Sequence, residues 1–132
     1  MLSIQPTSNT PIYQQIVDQV KEGVLKGTLP PGDRLPSVRE LAATVTINPN
    51  TIQKAYQELE RQGIIETVRG RGTFVVQGYQ GSQDEGKVQA LKEHLKKGLV
   101  QAHYLGLSPP EILHIVSELL SDLKASGREG NC

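Results

Sequence analysis

Leu35-Pro-Ser-Val-Arg-Glu-Leu-Ala42, Ile47-Asn-Pro-Asn-Thr-Ile-Gln-Lys-Ala-Tyr56 and Thr67-Val-Arg-Gly-Arg-Gly-Thr-Phe74 follow one another with almost no spacer. Ser37 and Glu40 stand at capping-box spacing, so a short helix opens there and runs to about Thr44. Asn48 is an N-cap with Pro49 at the first helical position, and this second helix runs to Gln62 and stops at Gly63. Ile52, Ala55, Tyr56 and Leu59 fall on one side of it, and Asn50, Gln53, Lys54 and Gln57 on the other. Ile64–Val68 and Thr73–Val76 are β-rich runs joined by Arg69-Gly-Arg-Gly72, a hairpin with glycines where positive φ is expected. Two capped helices and a basic-tipped hairpin, in that order, are the parts of a winged helix-turn-helix.

Toward the N-terminus, Thr10-Pro11 reads as an N-cap followed by proline at the first helical position. Ile12, Ile16, Val20 and Val24, with Tyr13, Val17 and Leu25, form an apolar stripe at helical spacing, which Gly27 ends. Leu29-Pro-Pro-Gly-Asp-Arg-Leu-Pro36 is a turn with at most a very short strand. Toward the C-terminus, the glycine-containing polar stretch Gln77–Gly86 is the linker. A helix over roughly Glu85–Tyr104 carries Val88, Leu91, Leu95, Leu99 and Ala102 near heptad spacing. Ser108-Pro-Pro-Glu111 starts another, with Ile112, Leu113, Ile115, Val116, Leu119, Leu120 and Leu123 as a wide apolar face. The expected organisation is a winged-helix domain at 10–78, a linker at 79–86, a two-helix region at 87–125 and a disordered tail at 126–132. The fold class is mostly α with a small β-hairpin.

The chain's 132 residues suffice for one ordinary domain, or a small one with an appendage. No run approaches a membrane span, and the first residues lack the basic and apolar regions of a signal peptide, so a cytoplasmic location is expected. The single cysteine, Cys132, rules out an intrachain disulfide and is expected to be an exposed thiol. Formal net charge is zero, so affinity for phosphates must come from local placement of the cations.

Three groups of residues carry candidate chemistry. A recognition helix offers short polar groups at its N-terminal end to base edges or phosphates; Asn50, Thr51, Gln53 and Lys54 occupy that end, and the terminus capped by Asn48 itself favours an anion. The alternative is an ordinary solvated face. Arg39, in the first turn of the preceding helix, opposes the helix dipole; a phosphate shared with Ser37 would reverse that cost, and pairing with Glu40 or Asp33 is the alternative. At the hairpin tip, Arg69, Gly70 and Arg71 suit a minor groove, against the alternative of a basic turn in solvent. The glycines do not form a phosphate-binding loop, since no helix follows them.

Enzyme chemistry finds no support. His94, His103 and His114 do not share a tight face, no metal set or cofactor motif occurs, and capping explains Ser37 and Ser108. The C-terminal helices are too short for a core of their own, so Leu91, Leu95, Leu99, Ile112, Ile115, Val116, Leu119, Leu120 and Leu123 are expected to pair with a second copy in a two-fold dimer. Packing within the chain is the alternative. Two further readings stay open: a protein-interaction module, and a small-molecule effector between subunits near His103, Tyr104 and His114.

Pro11-Ile-Tyr-Gln-Gln-Ile16, Pro31-Gly-Asp-Arg-Leu-Pro-Ser-Val-Arg-Glu-Leu-Ala42, Asn48-Pro-Asn-Thr51, Lys54-Ala-Tyr56, Glu58-Leu-Glu60 and Gly70-Arg-Gly-Thr-Phe-Val75 resemble the GntR family of bacterial transcription regulators. The Asn-Pro-Asn-Thr helix and the short two-helix tail resemble its YtrA subfamily. The resemblance implies a homodimeric DNA-binding regulator, a repressor on a palindromic operator, with a transporter operon as its target. It implies that Arg39 contacts DNA from the second helix, that Asn50 and Thr51 contact it at the start of the recognition helix, and that Arg69 and Gly70 enter the minor groove. Gln53 and Pro49 stand where relatives are often basic, which bears on base preference. The metabolite-binding or aminotransferase-like domains of larger members have no room here.

Overall fold

The computed structural model describes residues 2–77 and 84–128, the last five of them as backbone alone. The elements are α1 (Ile12–Lys26), β1 (Arg34–Leu35), α2 (Val38–Val45), α3 (Pro49–Arg61), β2 (Ile65–Val68), β3 (Gly72–Val75), α4 (Glu85–Tyr104) and α5 (Pro109–Arg128). They divide into two compact units, taken here in turn.

In the N-terminal unit the caps act where the sequence sets them. Ser37 and Glu40 close a full capping box at the start of α2, Asn48 caps α3 with Pro49 in its first turn, and Gly27 ends α1 in the left-handed region at φ 88°. The start of α1 differs. Its N-cap is Pro11, with no side-chain cap. The Thr10 carbonyl instead accepts from Gln15 Nε2 at 2.9 Å. The same buried amide binds the Gln5 carbonyl at 3.0 Å, tying the leading segment to the helix.

Three helices and the sheet share one core. Ile16, Val17, Ile52, Ala55 and Leu59 are wholly inaccessible, and Val20, Leu35, Leu41, Tyr56, Ile65 and Val75 close around them. Leu25, expected on the α1 stripe, is 54% exposed. At that end of the helix Leu29 packs against the core and comes close to Gly23, where an added Cβ would lie 3.0 Å from Leu29 Cδ1. The expected hairpin is part of a three-stranded antiparallel sheet of order β1-β3-β2. The two-residue β1 pairs Arg34 with Phe74 and Leu35 with Thr73. Pro36, which cannot donate to a ladder, follows it directly, while ahead of it Gly32 N donates to the Val75 carbonyl at 2.9 Å and Val75 N to the Asp33 carbonyl at 2.8 Å.

The second unit holds α4 and most of α5. Asp84 caps α4 by accepting from Lys87 N at 3.1 Å, so the helix starts at Glu85 as expected and takes the last two residues of the stretch expected as linker. Residues 78–83 of that stretch lie outside the described ones. Gly106, at φ 82°, follows the end of α4. Ser108 and Glu111 form the expected capping box at the start of α5, with Ser108 N donating to Glu111 Oε1 at 2.9 Å and Glu111 N to Ser108 Oγ at 3.3 Å. Helix α5 reaches Arg128, into the stretch expected as a tail from 126; Gly127 costs such a helix only about 1 kcal/mol. Residues 129–132, including Cys132, lie outside the described ones. Among the described residues no helix is long and apolar enough to cross a membrane.

Candidate nucleic-acid interface

Helix α3 is held by Ile52, Ala55, Tyr56 and Leu59, all buried. That grip turns Asn50, Gln53 and Lys54 to solvent, with Thr51 half-buried beside them. Asn48 is exposed, but its side-chain oxygen is already engaged, accepting from Asn50 N at 2.8 Å. Lys54 is not a free rotor: its ammonium rests over the Tyr13 ring, 4.0 Å from the centroid. Such contacts contribute about 0.5–1 kcal/mol when exposed. Tyr13, read from the sequence as part of the α1 stripe, therefore also borders the polar face of α3.

A second tie joins α3 to the start of α2. Tyr56 Oη–H donates to the Pro36 carbonyl at 2.7 Å. Burial, with the Glu40 charge behind it, pushes the phenol up to about 12. Pro36 is directly followed by Ser37, so this bond locates the turn that presents Ser37 and Arg39. The Glu40 carboxylate accepts from Ser37 N at 2.9 Å, and its pKa is held below the ordinary value first by the Ser37 backbone, then by the Ser37 hydroxyl, with a small contribution from Arg34. It is thus engaged in the cap, and Arg39 forms no ion pair with Glu40 or Asp33. Among the described residues the ion pairs are Lys26–Glu22, Arg61–Glu58 and His114–Glu118. Arg34, Arg39, Lys54, Arg69 and Arg71 enter none of them.

At the hairpin tip, Arg71 N donates to the Val68 carbonyl at 2.9 Å across a turn whose third residue, Gly70, sits at φ 80°. Type II turns need a residue tolerant of positive φ at that place. Nothing lies within 4 Å of where a Gly70 Cβ would be, so conformation alone demands glycine. Gly72 differs: at φ 122°, an added Cβ would also meet Arg34 Nε at 2.9 Å. Arg34 is thereby brought against the root of the hairpin tip, a residue for which the sequence alone offers no such place. That position follows from the β1–β3 register, which a strand of two residues does not advertise.

The exposed residues Ser37, Arg39, Asn48, Asn50, Gln53, Lys54, Arg69, Gly70 and Arg71, with half-buried Thr51, all belong to the N-terminal unit. The nine leucine, isoleucine and valine positions expected to pair subunits belong to α4 and α5. Leu91, Leu95 and Leu99 are 55%, 57% and 49% exposed, and Ile115, Val116, Leu119 and Leu120 are 41–58% exposed; Ile112 and Leu123 are half-buried. His103 meets Tyr104 edge-on at 5.2 Å, and His114 Nε2 lies 3.2 Å from Glu118 Oε1. Among the described residues no group of histidine, cysteine and acidic side chains converges on a metal site.

Residues 12–75 match the family model for bacterial regulatory proteins, gntR family. The chain is 50% identical over 124 residues to the HTH-type transcriptional repressor YtrA of Bacillus subtilis (strain 168), covering 94% of this chain and 95% of that protein. The crystal structure of a transcriptional antiterminator from Listeria monocytogenes EGD-e matches with a TM-score of 0.81 at 40% identity, covering 94% of this chain and 92% of that one. The DNA-binding domain of AraR, solved in complex with operator ORX1, matches with a TM-score of 0.50 at 31% identity, covering 57% of this chain and 93% of that one. With its fold, its polar recognition helix and a relative of matching length, the chain belongs to the gntR family of bacterial regulatory proteins and is a DNA-binding transcription regulator, not an enzyme.

Proposed function

We propose that this regulator is a cytoplasmic repressor that binds a palindromic operator as a homodimer, with α3 in the major groove and the wing in the adjacent minor groove. The observation that carries the reading is the division of unpartnered groups between the two units. On the N-terminal unit, cations without ion pairs and amide side chains on α3 face solvent. Phosphate contacts from Arg39 and the helix ends set the register, and Asn50, Thr51 and Gln53 are placed to read base edges. Arg69 and Arg71, on a tip kept narrow by Gly70, suit the negative potential of an A·T-rich minor groove.

On α4 and α5, uncovered leucine, isoleucine and valine side chains call for a partner, and a second copy offers the same faces under a closed two-fold axis. Two recognition helices then address half-sites about one helical turn apart or a multiple of it. The 50% identical relative is named a repressor, which supports that direction of control here.

The test is binding to an inverted-repeat promoter fragment across a salt series, with the mass of the complex measured in parallel. Two copies per fragment and a preference over random duplex are expected. One copy per fragment, or no preference at any ionic strength, overturns the reading. Within it, Gln53→Ala should alter base preference, costing about 1–3 kcal/mol on the preferred site if it reads a base.

A further inference from the structure

We infer that Arg34 is a phosphate-binding residue of the wing, laid across Gly72 at the root of the arginine-bearing tip. The inference rests on the winged-helix docking proposed above and adds a contact from β1, an element not otherwise assigned to the interface.

The geometry begins with the register. Arg34 pairs with Phe74, and the next residues of β3 toward the tip are Thr73 and Gly72. The Arg34 side chain runs in that direction. A Cβ built on Gly72 would lie 2.9 Å from Arg34 Nε, 3.5 Å from Nη2 and 3.6 Å from Cζ. The guanidinium therefore lies against the glycine backbone at the root of the Arg69–Arg71 loop. Gly72 leaves the room it occupies; an alanine there would press a methyl group into it.

Chemistry then limits what this guanidinium can do. It is exposed, and among the described residues no carboxylate lies within ion-pair distance of it. Glu40, the acid whose titration senses it, is already engaged by Ser37. A planar fork resting on a strand keeps its orientation, and a fork with uncommitted donors fits a phosphate. It starts from a strand at the root of the wing, not from the tip, so it meets the sugar-phosphate backbone before any base edge. Its contribution is then independent of sequence.

The experiment compares full-length wild type, Arg34→Gln and Arg34→Lys for binding to the inverted-repeat fragment and to a random duplex, each over a salt series. Each phosphate contact contributes about 0.9 to the slope of log affinity against log salt. Arg34→Gln is expected to make the slope shallower by about 0.9 per bound subunit and to weaken binding by the same factor on both duplexes; Arg34→Lys is expected to restore the slope. An unchanged slope for Arg34→Gln overturns the assignment even if its melting temperature falls, and so does a loss confined to the inverted repeat. Arg39→Ala and Arg69→Gln separate the two levels of the argument. If neither affects binding, the docking itself is wrong; if both weaken it and Arg34→Gln does not, Arg34 alone is misassigned.

Discussion

The two units of this chain handle apolar surface in opposite ways. From Ile12 to Val75 the core is complete: α1, α2, α3 and three strands bury one another's side chains, and among the described residues no buried polar side-chain atom lacks a partner. From Glu85 onward, α4 buries none of its residues, and its leucines stand about half exposed. A short sheet and three short helices suffice as a core because α3 is gripped from several sides. Among the described residues the helical unit, two helices of twenty residues, has no third element of its own to close over their apolar faces. The N-terminal unit thus closes a core of its own, whereas the apolar faces of α4 and α5 stay largely exposed.

That contrast breaks most readily at the helical unit. Leu95→Glu combined with Leu119→Glu should convert the protein to a monomer by sedimentation. Operator affinity should fall by about 10²–10⁴-fold, the advantage that linking two sites confers. The near-ultraviolet signal of the N-terminal unit should persist. A variant that stays dimeric would place the subunit contact elsewhere.

On the other side of the comparison, Ile52→Ala removes a wholly buried side chain beneath the recognition helix. Urea unfolding followed by tyrosine fluorescence should show a loss of about 2–5 kcal/mol. A loss below 1 kcal/mol would mean that the core gives way around α3 more easily than its packing implies.

The smallest expected effect is electrostatic. Hydrogen bonds from Arg61 and then Gln62 hold Glu58 down to about 2, against an ordinary 4.5. A depressed carboxyl stabilises the fold above its unfolded value and stops doing so as acid protonates it, here between about 4.5 and 2. The urea midpoint should therefore fall across that window, and Glu58→Gln should flatten the fall. Because the pair is exposed, the change should be small.

Much of the N-terminal fold can be read in the chain because its signals are local. The Ser37–Glu40 box, Asn48-Pro49, Gly27 and the wing glycines each act within a few residues of themselves. The features that escaped are contacts between distant positions. The β1–β3 pairing joins residues about forty apart through a strand of two. Lys54 on Tyr13, Tyr56 on Pro36 and Arg34 over Gly72 depend on where whole elements settle, which no periodicity encodes. The same limit explains Leu25: the stripe on α1 marks its position, but Leu29 closes that end of the helix.

The bond from Tyr56 to Pro36 also bears on the speed of recognition. A reader whose two helices had first to find their mutual angle would lose productive encounters while it searched. Here a phenol held neutral throughout the physiological range ties α3 to the turn that leads into α2. In the docking proposed above, that part of the reading surface needs no rearrangement before contact.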